Sequence, residues 1–131
     1  MRYLLCVLTL LLSVEAGAHR FAPSLLEVRQ LSDNGLTATW KTPAQKVSAT
    51  PIEPQFPPDC KRTSESPWIQ EGTGMLRQIQ LTCPDGIVGK TVSVSGLGEN
   101  QSSALLRVYL AEDVFHQAVF TADQPSFLVP T

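Results

Sequence analysis

From residue 24 onward the apolar side chains recur with a period of two in short runs, and no run holds the 3.6-residue period of an amphipathic helix. Period two sends successive side chains to opposite faces of an extended chain, so each run reads as a half-buried strand. Residues 24–31 (SLLEVRQL) and 36–42 (LTATWKT) flank Ser32-Asp33-Asn34-Gly35, and an Asn-Gly pair accepts the positive φ values of a tight reversal. The two runs are therefore expected to form a hairpin. In its second arm Leu36, Ala38 and Trp40 share one face, and Thr37, Thr39 and Lys41 the other.

Later runs repeat the pattern. Residues 75–83 (MLRQIQLTC) hold Met75, Ile79, Leu81 and Cys83 in one phase, which turns Cys83 inward. Val92 and Val94 share a phase within 90–97; Leu106, Val108 and Leu110 do so within 104–111, with Arg107 and Tyr109 on the reverse. Residues 115–121 and 125–129 complete the set. About seven or eight short extended segments broken by Gly, Pro, Asp and Asn predict two packed antiparallel sheets. The expected fold is an all-β, immunoglobulin-like β-sandwich, with a barrel as the alternative because strand count does not decide closure.

Between residues 43 and 67 the pattern lapses. Pro43, Pro51, Pro54, Pro57, Pro58 and Pro67 lie there, six of the chain's ten prolines, and each removes an amide donor that a ladder or helix interior would use. This stretch is expected to run as loop and edge strand, with Ile52 and Phe56 dipping into the core.

Residues 1–18 read as a secretory signal peptide: Arg2 supplies the positive start, residues 4–14 the apolar run, and Ala16-Gly17-Ala18 a small-residue cleavage site. A membrane anchor would need about twenty apolar residues, and Glu15 and Arg20 bound this run too early. Cleavage after Ala18 leaves one domain, residues 19–131, in the periplasm or secreted. Cys6 departs with the leader, and the pair left in an oxidising compartment, Cys60 and Cys83, is expected to form a disulfide. No C-x-x-C unit suggests a thiolate metal site. The formal charge of −2, with no dense basic cluster, argues against nucleic acid as a partner. A hydrophobic content of 43% against 17% charged residues argues against a disordered chain.

Few residues suggest chemistry. Processing would make His19 the first residue, where its α-amine and imidazole could chelate a transition metal and His116 could complete a three-nitrogen site for copper or nickel. The competing reading takes Ala18-His19 as a merely permissive cleavage context and His116 as a partly buried, hydrogen-bonded strand residue. No G-x-S-x-G, H-E-x-x-H or phosphate-loop pattern occurs, and Gly72-Thr73-Gly74 reads as a turn. Glu112-Asp113 reads as a solvated turn. Trp40 belongs to the core, whereas Trp68, in Ser66-Pro67-Trp68-Ile69, is the better candidate for a contact surface. Arg107 reads as an outward charge. Asn100-Gln101-Ser102 matches a glycosylation sequon.

Ala18-His19-Arg20-Phe21-Ala22-Pro23-Ser24-Leu25-Leu26-Glu27-Val28 and Trp40-Lys41-Thr42-Pro43 are followed by Val92-Ser93-Val94-Ser95-Gly96-Leu97, Ala104-Leu105-Leu106-Arg107-Val108 and Pro125-Ser126-Phe127-Leu128-Val129. In this order the pieces resemble the extracytoplasmic amino-terminal region of bacterial HupE/UreJ-type membrane proteins, over nearly all of residues 19–131. There the β-rich region precedes a polytopic segment linked to nickel or cobalt handling or of unassigned role. No membrane segment follows Thr131 here, so transport is not expected of this chain by itself. The resemblance implies a non-enzymatic periplasmic accessory domain beside a separately encoded polytopic membrane protein; a copper- or nickel-binding protein using His19 is the alternative.

Overall fold

The computed structural model describes residues 22–131; the expected leader and His19 lie outside these described residues. Among the described residues ten strands form: β1 (Ser24–Gln30), β2 (Gly35–Pro43), β3 (Glu53–Gln55), β4 (Lys61–Glu65), β5 (Ile69–Glu71), β6 (Gly74–Thr82), β7 (Thr91–Ser95), β8 (Ala104–Tyr109), β9 (Phe115–Phe120) and β10 (Ser126–Leu128). A short 3-10 turn, Ala111–Asp113, precedes β9. Seven strands make one sheet in the order β4-β6-β2-β1-β8-β9, with β5 also on β6, and β10-β7-β3 make the second.

The expected hairpin is β1–β2, closed where the amides of Leu31 and Ser32 donate to the Gly35 carbonyl. The proline-rich stretch yields short margin strands: β3 and β4 lie within it, and β5 follows directly. Together they raise the strand count beyond seven or eight. Ile52 is buried there and Phe56 packs partly buried against the core.

The expected all-antiparallel pairing needs one correction. β1 runs parallel to β8, with Leu26 level with Leu106 and Val28 with Val108. Turn chemistry dictates direction only between neighbours in sequence, and about seventy residues separate these two strands. Their pairing follows instead from matching the inward apolar phases of both strands across the core.

That core joins the two sheets. The large sheet contributes Leu26, Val28, Leu36, Ala38, Trp40, Ile79, Leu81, Leu106, Val108 and Phe120; the smaller sheet and its loops contribute Ile52, Val92, Val94 and Val129. Two further ties hold the ends. Cys60 and Cys83 are disulfide-bonded, with Cα atoms 4.1 Å apart, beside the Lys61–Thr82 pair of β4 and β6. Gly96 ends β7 at φ +84, where a Cβ would lie 2.1 Å from the Pro51 carbonyl oxygen, so only glycine fits.

Candidate functional site

Of the residues singled out for metal binding, His19 is outside the described part, and His116 sits on β9 opposite Val108. His116 points into the sandwich, in phase with Ala118 and buried Phe120, and is half-buried with its ring 6.4 Å from that of Phe127. The expected hydrogen bond to this ring is not made among the described residues. No group of three His, Cys, Asp or Glu side chains that could hold a metal occurs among them either. The His19 α-amine and ring, which would supply the other nitrogens of a copper or nickel site, lie outside the described residues, which hold His116 alone of that expected set.

The sequon has a structural role instead. Asn100 is buried; its Nδ2 donates to the carbonyls of Thr50 and Gly96, and its Oδ1 accepts from the Ser48 amide. The amide nitrogen that a glycan would need is thereby committed to tying loop 48–50 to the end of β7. Glu112 and Asp113 are exposed, as expected of a turn, and both adopt positive φ.

Two surface features stand out. The first is β9, a margin of the large sheet with no strand on its second side among the described residues. Phe115 and Val119 point outward from it, 46% and 56% exposed. The register sets Phe115 beside Tyr109 and Val119 beside Leu105. The Tyr109 and Phe115 rings are 4.9 Å apart, and the Arg29 guanidinium carbon lies 4.0 Å from the centre of the Tyr109 ring. The sheet thus ends in an aromatic and aliphatic face with one cation stacked on it.

The other margins are guarded. β4 carries Lys61, Arg62 and Glu65 and a register irregularity between Arg62 and Ser64. β5 and β10 are three residues long, β10 lies between Pro125 and Pro130, and β3 contains Glu53 and Pro54. Short length, charge, irregular register and proline each discourage a further strand from pairing. β9 (FHQAVF) runs six residues without Lys, Arg, Asp, Glu or Pro.

The second feature is a cleft of about 190 Å3 at the margin of the core, lined by Trp40, Trp68, Ile52, Lys46, Arg62 and Arg77 among others. Trp68 is 42% exposed, as its loop position predicted, and Trp40 is buried. Arg77 shares the inward phase of β6 with Ile79 and Leu81 and pairs in register with Trp40. Its Nη1 lies 3.2 Å from Glu65 Oε2, while Arg62 Nη1 donates to Glu65 Oε1 at 2.8 Å. The Arg62 hydrogen bond, with the Arg77 and Arg62 charges, holds the Glu65 carboxyl below its ordinary range against partial desolvation. The Arg77 guanidinium carbon lies 4.3 Å from the centre of the Trp68 ring.

Reading the strand by its apolar members passes over Arg77. Its signal is a lone cation within an otherwise inward apolar phase. No protein-family model matches the chain, and no curated protein matches it.

Proposed function

We propose that this protein is a non-enzymatic extracytoplasmic interaction module whose β9 edge accepts an extended segment of a separately encoded polytopic membrane protein. The unguarded β9 margin is the observation that carries the reading. A sheet edge offers unpaired backbone donors and acceptors, so an incoming strand gains main-chain hydrogen bonds, and outward Phe115 and Val119 supply apolar contacts. The Cys60–Cys83 disulfide supports an oxidising compartment. The resemblance to HupE/UreJ-type extracytoplasmic regions supports a HupE/UreJ-like membrane protein as the partner, with nickel or cobalt handling as the setting.

The test places a photoreactive side chain at Gln117 and irradiates cells that produce the protein at native level. The expected product is a cross-link to one polytopic membrane protein, lost when Phe115→Lys and Val119→Lys are combined. These two positions are exposed, so the double variant should fold while its edge repels an incoming strand. Cross-linking that yields no membrane protein, or that survives the double substitution, overturns the reading.

A further inference from the structure

The cleft beside Trp68 carries an inference independent of the β9 edge. An arginine in the inward phase of a strand is costly unless its donors find acceptors. Arg77 is satisfied in part: Glu65 accepts from Nη1, and the Trp68 ring stacks on the guanidinium. Its Nε is buried and has no hydrogen-bond partner among the described residues. A planar, permanently charged group is thus incompletely satisfied by the protein, and its residue lines a concave surface.

The walls specify what could pair with that guanidinium. Trp40, Trp68 and Ile52 give the cleft apolar, partly aromatic sides. Lys46, Arg62 and Arg77 bring three positive charges; Glu53 on the wall and Glu65 behind the arginines bring two negative ones. The balance is one positive charge, which matches a single anionic group. A volume of about 190 Å3 is below the ~300 Å3 at which pockets for drug-sized ligands begin, so the occupant is compact.

We infer that this cleft binds a monocarboxylate borne on a small, flat apolar body, its carboxylate pairing with the Arg77 guanidinium and its body lying against Trp68. Planar carboxylates match the fork of guanidinium donors, and an aromatic face favours a flat neighbour. A doubly charged phosphate exceeds the local charge balance and brings no apolar body to the tryptophans.

The inference is tested on the full processed protein with sodium benzoate, read by fluorescence and by amide chemical shifts. Trp68→Phe identifies which tryptophan reports binding. Saturable binding is expected, at least tenfold tighter than that of uncharged benzamide and of inorganic phosphate, and weakening as salt is raised. Arg77→Gln should weaken it tenfold or more. Lys46→Gln, on an exposed loop outside the sheets, should weaken it several-fold without touching the fold, and so keeps the test decisive if Arg77→Gln destabilises the protein. A peptide ending in a phenylalanine carboxylate forms the second arm: tighter binding than benzoate assigns the carboxylate to a chain terminus, weaker binding to a free small acid. Benzamide or phosphate binding as tightly as benzoate, or benzoate affinity unchanged in Lys46→Gln, overturns the inference, as does the absence of saturable benzoate binding.

Discussion

Glu65 shows how a single carboxylate organises the margin of this sandwich. It receives one arginine from its own strand and one from β6, so it fastens β4 to β6 by charge as well as by backbone pairing. Its folded pKa lies below the ordinary value of about 4.3 because Arg62 hydrogen-bonds it, with help from the nearby Arg77 charge. The stabilisation is therefore present above the unfolded pKa and is lost as pH falls through the lower folded value. Glu65→Gln should be less stable than the parent near neutrality, and the gap should close as pH falls through about 4 and below. Urea unfolding midpoints across that range check this; a gap that does not vary with pH would mean that the loss comes from packing alone. Asn100 acts at the same scale without charge: three hydrogen bonds from one buried side chain hold two loops together.

At the scale of elements, margin strands differ in what holds them. β4 is exposed along its whole length, so apolar burial contributes little to its attachment. The Cys60–Cys83 bond does more, because it lies beside the end of the β4–β6 ladder and closes a separation of 23 residues. In the chain-entropy model a loop of this size contributes roughly 3 kcal/mol. Reduction should lower stability by about that amount, and the amides of residues 61–65 should begin to exchange before those of β1 and β2. Hydrogen exchange with and without reductant checks both the magnitude and the order. β9 has no such staple and none of the devices that blunt β3, β4, β5 and β10, and this contrast supports its assignment as the docking edge.

Across the whole molecule, the unequal sheets shape the surface. Three strands face seven, and the cleft opens at the margin where inward residues of β2 and β6, Trp40 and Arg77, meet the loops around β3. Trp40 is both a wall of that cleft and one of the largest buried side chains; Phe120 fills the β9 side of the same core. Truncating either to alanine should cost about 3–5 kcal/mol, since transfer and cavity contributions add. Trp40→Ala should in addition change the cleft, whereas Phe120→Ala should leave benzoate binding intact wherever the variant is folded. Thermal unfolding combined with the benzoate titration separates these outcomes.

Local chemistry made much of this architecture legible in the sequence. The Asn34-Gly35 reversal and the alternation Leu36, Ala38, Trp40 predicted β1–β2 and its inward face, and the alternation ending at Cys83 turned that thiol toward the core. Proline density predicted a margin, because a missing amide excludes a central strand regardless of what surrounds it. Tertiary structure alone decided the parallel β1–β8 pair, the inward place of Arg77, the choice of face for His116 and the burial of the Asn100 amide. Each of these depends on which distant segment arrives alongside. Periodicity along a chain specifies two faces for a strand, but which neighbour pairs with it, and which face that neighbour covers, follows from packing among segments far apart in sequence.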